Sequence, residues 1–345
     1  MFNKSLSYDD VLLAPQFSDI ESRVEIDVGS SLDGTLQFDL PIISSPMDTV
    51  TEVAMAQTIE KMGGVGIIHR YTTIEDQALM VQTVTKNDQR TGAAIGVTGD
   101  YFERAHALVE AGASFLCLDV AHGHHILMRT ALQKLRNEFG DKLHLMAGNV
   151  ATLESVATLA DWGANSIRVG IGGGSICSTR TQTGHGMPTF SSLMGARGAQ
   201  EGLAQQNKPP ITIVADGGIR TSGDIVKALA AGADLVMVGS LLAGTRDAPG
   251  EIIETTSGKC KTYRGMASKD AQMDWRGRTS SVEGITTVIP YKGDATQVLR
   301  ELERGIRSGF SYSGARHLTD LREKAQFIVQ TGAGIQESST HILNR

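Results

Sequence analysis

The residues with the greatest chemical potential share one loop, residues 169–186, which reads VGIGGGSICSTRTQTGHG. Cys177 follows Gly172, Gly173, Gly174 and Ser175 and precedes Thr179 and Arg180. Such small neighbours leave the sulfur open and let successive backbone N–H groups face one space. A concave array of that kind favours an anion, either a thiolate or a phosphate. The carbonyls of Gly172 and Gly174, pointing the other way, suit a monovalent cation. A free cysteine is more commonly a small buried hydrophobe. That description fits Cys117, inside an apolar run, and Cys260, in a Lys-rich hairpin, and it does not fit Cys177.

A second cluster has the chemistry of phosphate binding. ADGGIRTSGD places Gly217 and Gly218 after one apolar run, and VGSLLAGT places Gly239 and Ser240 after the next. Asp216, just before the first pair, suits a ribose, whose two hydroxyls a carboxylate can accept. AHGHH holds His122, His124 and His125, but no carboxylate or cysteine stands at ligand spacing, so it does not read as a zinc site. GIGGG does not open a helix after a strand in the way a dinucleotide fingerprint requires.

The elements that must position these residues come from an internal echo. AGASFLCLDV, WGANSIRVGI and AGADLVMVGS share one plan: a helix ends, Gly-Ala turns the corner, and an apolar run follows. Nearly continuous apolar runs mark parallel strands buried on both faces. Eight such strands are expected at 40–48, 64–70, 92–97, 115–120, 143–150, 166–172, 212–218 and 234–240, alternating with helices. The expected fold is α/β, a TIM (β/α)8 barrel, with an open doubly wound sheet as the alternative. Polar residues at the strand ends, Ser44, Ser45, Asp48, His69, Asp119, Asn149, Asp216 and Ser240, would form the active face. The loops after strands seven and eight are this fold's recurrent phosphate site. Residues 245–294 break the pattern and are expected to form a flap over the barrel mouth. A last barrel helix is expected near 298–308, and a polar tail over about 325–345.

The chain has 345 residues, 41% hydrophobic and 20% charged, which suits a globular protein with ample core. One barrel domain over 1–345 accommodates that length. A net charge of -6 and a pI near 5.9 argue against nucleic acid or an anionic membrane as partner. Three scattered cysteines argue for a reducing compartment. The amino-terminal residues lack the apolar core of a signal peptide, so a cytoplasmic location is expected.

SYDDVLLAPQ, SSPMDTV, GGVGIIHR, LDVAHGH, MAGNVAT, VGIGGGSICSTR, the run from ADGGIRTSGD to VGSLLAG, YRGM and IPYKG together resemble the IMP dehydrogenase / GMP reductase family. The likeness covers nearly the whole chain in the same order. It implies a barrel that binds a purine nucleoside 5′-monophosphate, GMP or IMP, beside a nicotinamide cofactor, with a cysteine attacking C2 of the purine. Carried over by resemblance, Cys177 is the nucleophile, and Thr179 and Glu283 handle the group at C2. Ser175, Gly217, Gly218, Gly239, Ser240 and Tyr263 cradle the phosphate, and Asp216 takes the ribose. Ser45, Met47, Gly265, Met266 and Gly284 line the base pocket. Arg70, Asp119, Val120, Ala121 and Asn149 hold the cofactor. The carbonyls of Gly172, Gly174 and Cys177 ligate a monovalent cation, K+, and the assembly implied is a homotetramer.

The flap separates the family's two activities. The dehydrogenase pattern has an Arg-Tyr pair in the flap and typically a pair of CBS domains after the second helix; neither is found here. SSVEGITTVIPYKG fits the reductase pattern, in which a Thr–Glu pair handles ammonia. The expectation is therefore an NADPH-dependent GMP reductase, with NADH as the alternative reductant. Arg276 and Arg278 in the flap, and a tail resembling dehydrogenase tails, keep a CBS-free IMP dehydrogenase as the alternative activity. A barrel that binds purine nucleotides without catalysis is the third possibility.

Overall fold

Eight parallel strands close on themselves in the computed structural model, which describes residues 4–256 and 258–338. They are β1 (Ile42–Ser44), β2 (Val65–Ile68), β3 (Thr91–Ile95), β4 (Phe115–Asp119), β5 (His144–Val150), β6 (Ser166–Val169), β7 (Thr212–Asp216) and β8 (Leu235–Val238). Each pairs with its sequence neighbour, and β8 pairs with β1 through Val236–Ile42, Met237–Ile43 and Val238–Ser44. The expected TIM barrel is the fold. Seven strands lie inside the expected spans, and β3 starts one residue early, at Thr91.

Two apolar layers hold the barrel. Ile43, Ile67, Phe115, Met146, Val214 and Met237 fill its interior. A larger shell packs the outward strand residues against the surrounding helices, among them α1 (Val53–Lys61), α2 (Ile74–Thr85) and α3 (Tyr101–Glu110). The Gly-Ala corners turn as the sequence predicts: Gly112, Gly163 and Gly232 have φ of 92°, 104° and 121°. The closing helix, Ala295–Tyr312, is longer than expected at both ends because its apolar stripe begins at Ala295 and extends to Phe310.

The ends of the chain depart from expectation. The tail carries a helix (Leu318–Lys324), a strand (Phe327–Val329) and a short helix (Gly332–Glu337). The strand pairs antiparallel with Val11–Leu13, so two three-residue apolar stretches form one sheet. Residues 339–345 of the expected tail lie outside the described residues. A hairpin, Ser30–Leu32 with Leu36–Phe38, stoppers the amino-terminal end of the barrel with Leu32 and Phe38. Beneath it Asp33 Oδ2 and Ser166 Oγ lie 2.5 and 2.7 Å from the two ring nitrogens of His144.

Residues 253–290 form the flap as an antiparallel sheet, β9 (Ile253–Thr255), β10 (Gly258–Arg264) and β11 (Thr286–Pro290). A short polar helix, Lys269–Arg276, sits between β10 and β11. Arg264 ties the flap to the barrel by donating to Asp48 Oδ2 at 2.7 Å, and it braces the flap helix by donating to Asp274 Oδ2 at 2.5 Å. Trp275 stacks on Tyr71, with ring centroids 5.6 Å apart. Among the described residues, no helix is long and apolar enough to cross a membrane.

Candidate active site

Cys177 is exposed at the carboxyl end of β6, in a tight turn closed by its own N–H bonding to the Gly174 carbonyl at 3.1 Å. Cys117 and Cys260 are buried. The Cys177 thiol donates to Thr179 Oγ1 at 3.2 Å, and that hydroxyl donates to Glu283 Oε2 at 2.8 Å. Ser281 Oγ donates to the other carboxylate oxygen at 3.0 Å. The flap strand is zipped to this loop: Ser178 N–H bonds to the Glu283 carbonyl at 2.8 Å, and Ile285 N–H to the Ile176 carbonyl at 3.1 Å. Cys177 and Gly284 form an antiparallel bridge. The backbone itself thus sets the Thr179–Glu283 contact.

Missing side chains shape the candidate phosphate and base pockets. A Cβ on Gly217 would stand 3.2 Å from the Gly173–Gly174 backbone, so the loops after β6 and β7 touch. A Cβ on Gly239 would meet Tyr263 Oη at 3.1 Å, and Met47 Sδ and Ser45 Oγ at 3.3 Å. Four of the expected ligands therefore converge. Burial raises the Tyr263 pKa, and a hydrogen bond with Ser175 only partly opposes this, so the phenol stays a donor at neutral pH. Ser240 follows Gly239, and Lys292 donates to its carbonyl. Gly265 and Gly284 pack together, and Met266 Sδ accepts the Asp48 N–H at 3.4 Å.

The cofactor candidates stand at the ends of β2, β4 and β5. Arg70 Nη2 donates to the Asp119 carbonyl at 3.2 Å. Val120 donates its N–H to the Gly148 carbonyl at 3.1 Å and accepts the Asn149 N–H at 2.9 Å. Ala121 is exposed just beyond Val120. Arg70 Nε and Asn149 Oδ1 are buried without hydrogen-bond partners. Buried polar atoms are rarely left so, and each is open to a polar partner.

One residue was missed by sequence reasoning. Arg168 sits in β6, where a single charge interrupts an apolar run, and it points into the barrel. Its Nη1 donates to Asp119 Oδ1 at 2.6 Å, and its Nη2 to Asp216 Oδ2 at 2.8 Å. Asn149 Nδ2 donates to the same Asp216 oxygen at 2.7 Å. Burial works against the Arg168 charge, but Cys117, Asp216 and Asp119 outweigh it and hold the pKa well above the usual arginine value. The detectable signal was a charge in phase with Ser166 on the inward face.

The flap arginine Arg276 is held by other flap residues. Arg276 donates to Gln272 Oε1 at 2.9 Å and to Ser280 Oγ at 3.2 Å. Among the described residues, no group of three or more His, Cys, Asp or Glu is placed to hold a metal ion, and His125 instead caps the helix Ile126–Phe139.

Residues 5–341 match the family model described as IMP dehydrogenase / GMP reductase domain. The chain is 31% identical to an inosine-5′-monophosphate dehydrogenase of Nitrosopumilus maritimus (strain SCM1), over 99% of this chain and 98% of that one. It is also 31% identical to a GMP reductase of Leishmania major, again over 99% and 98%. An inosine-5′-monophosphate dehydrogenase of Cryptosporidium parvum is 35% identical over 98% of this chain and 95% of the relative. Among solved structures, a Cys-to-Ala GMP reductase variant from Trypanosoma brucei in complex with guanosine 5′-monophosphate superposes with a TM-score of 0.91. It is 29% identical, over 99% of this chain and 98% of the other.

Proposed function

The chain belongs to the IMP dehydrogenase / GMP reductase family of oxidoreductases, and we propose that its own activity is the reduction of GMP to IMP and ammonia. The Cys177–Thr179–Glu283 relay carries this proposal. A dehydrogenase must bring water to C2, whereas a reductase must protonate a departing amine, and a hydroxyl backed by a carboxylate suits the second task. The binding of Arg276 by Gln272 and Ser280 also favours the reductase, since it holds the flap guanidinium in other contacts.

The Cys177 sulfur adds to C2 of the purine as its proton passes to Thr179 and on to Glu283. The relay then returns a proton to the exocyclic nitrogen, the C2–N bond breaks, and ammonia leaves a purine joined to sulfur through C2. A reduced nicotinamide, NADPH in this proposal, supplies hydride to that carbon. The C2–S bond breaks with its electron pair on sulfur, and IMP is released. Asp216, Ser175, Tyr263 and the glycines at 217, 218 and 239 hold ribose and phosphate, while Ser45, Met47, Gly265, Met266 and Gly284 set the base. Fixing C2 against both the sulfur and the nicotinamide is the barrel's main contribution. Arg70, Asp119, Val120, Ala121 and Asn149 would hold the cofactor, whose polar groups fit the unpartnered Arg70 and Asn149 atoms. The carbonyls of Gly172, Gly174 and Cys177 are assigned to K+. The proposal also takes 1–345 as one catalytic domain without a CBS insert, acting as a homotetramer in the cytoplasm. Only residues 86–90 connect α2 to β3, which supports the first of these.

Mixing the protein with GMP and NADPH is expected to consume the reduced cofactor and release one ammonia per turnover. Absence of turnover with GMP, together with NADH formation from IMP and NAD, would establish the dehydrogenase instead. Substituting NADH for NADPH in the first assay tests the cofactor assignment.

A further inference from the structure

We propose that Arg168 is a positioning residue that couples occupancy of the nucleotide site to occupancy of the nicotinamide site. The inference rests on the reading of the mouth as a nucleotide site beside a cofactor site. Arg168 issues from β6 and holds Asp216 on β7 through Nε (3.3 Å) and Nη2 (2.8 Å), while Nη1 reaches Asp119 on β4 (2.6 Å). The side chain thereby spans β5, where Gly148 is the register partner of Arg168. A Cβ on Gly148 would lie 2.5 Å from the Arg168 Cβ and 3.0 Å from its carbonyl oxygen, so the base of the Arg168 side chain can lie this close only to a glycine.

The arrangement is a row of alternating charge: Arg70, Asp119, Arg168, Asp216. The Arg70 Nε and Asp119 Oδ2 are 4.0 Å apart, and the Arg168 side chain is only 7% exposed. All three hydrogen bonds to the Asp216 carboxylate, from Asn149 Nδ2 and from Arg168 Nε and Nη2, fall on Oδ2. Oδ1 remains to face a ribose. One rigid fork thus fixes a carboxylate in each half of the mouth. Ordering one carboxylate against its ligand orders the other through the same planar group, so the second ligand binds a prepared site. Such coupling is reciprocal: each ligand must tighten the other by the same factor.

The test uses GMP with NADP+, a pair that binds without reacting. In the wild-type protein, saturating NADP+ is expected to tighten GMP by about fivefold or more, and GMP to tighten NADP+ equally. Arg168→Lys keeps the charge but not the fork, and it is expected to bring that factor close to one while thermal melting confirms folding. Asp119→Asn gives a second route should the lysine variant fail to fold. It cuts the bridge at the cofactor end, and GMP is expected to bind about threefold more weakly even without cofactor. A merely local cofactor contact would leave that value unmoved. Unchanged coupling in a folded Arg168→Lys protein, or unchanged GMP affinity in Asp119→Asn, would overturn the proposal. Failure of the wild-type protein to bind GMP would instead overturn the function on which it rests.

Discussion

Thr179 Oγ1 donates to Glu283 Oε2 across 2.8 Å, although 104 positions separate the two residues in sequence. The contact is made by backbone pairing between the Cys177 loop and the flap, from Ser178 to Glu283 and from Ile285 to Ile176. Chemistry and closure are therefore joined, because the flap delivers the carboxylate only where it also hydrogen-bonds to the loop that presents the sulfur.

Removing either member of the relay should slow chemistry and spare binding. Thr179→Ala and Glu283→Gln are expected to lower kcat by about 10²–10⁴ with KM for GMP nearly unchanged, in keeping with the usual contribution of general acid catalysis. Steady-state rates of ammonia release check this. A matched rise in KM with unaltered kcat would remove both residues from the proton path.

Alkylation should separate the cysteines. Cys117 is fully buried, and burial pushes its thiol up to about 11. Iodoacetamide at mildly alkaline pH is expected to modify Cys177 in the native protein, to abolish turnover, and to be slowed by GMP. Peptide mass mapping reads the site. Labelling of Cys117 in a protein that retains its fold would contradict the burial seen here.

Gly239→Ala should narrow the pocket where Tyr263, Met47 and Ser45 meet, since the added Cβ would stand 3.1–3.3 Å from all three. Overpacking of this kind costs about 1–3 kcal/mol. These contacts are present in the ligand-free protein, so the cost should appear as a lower Tm in thermal melts, and kcat/KM for GMP should fall as Tyr263, Met47 and Ser45 are displaced.

The base of the barrel should respond to acid. Burial tends to raise the Asp33 pKa, but hydrogen bonds from His144 and Thr35 outweigh it and leave the carboxyl below its usual value. A carboxyl depressed in the folded state stabilises above the unfolded value, near pH 4, and that contribution is lost as pH falls through the lower folded value. Asp33→Asn should therefore lower Tm at neutral pH, and the gap to wild type should shrink below about pH 4. A gap that widened with acid would reverse the assignment.

The barrel was legible in the sequence because buried parallel strands leave uninterrupted apolar runs, and Gly-Ala corners mark where three of them, β4, β6 and β8, begin. Cys177 stood out through its glycine setting. Glu283 did not: its carboxylate lies in a polar flap with no periodicity, and only family resemblance brought it forward. Arg168 was missed for a different reason. Its partners come from β4 and β7, so its purpose exists only once the barrel has closed. The pairing of Val11–Leu13 with Phe327–Val329 was hidden likewise, since three-residue strands carry too little pattern to register.

That pairing bears on synthesis. Val11–Leu13 leaves the ribosome early, yet the strand it hydrogen-bonds to is translated only after the whole barrel. Throughout elongation the early segment presents an unsatisfied edge, open to any passing strand, including one from a neighbouring nascent copy. The docking of Phe327–Val329 is the step that closes this edge.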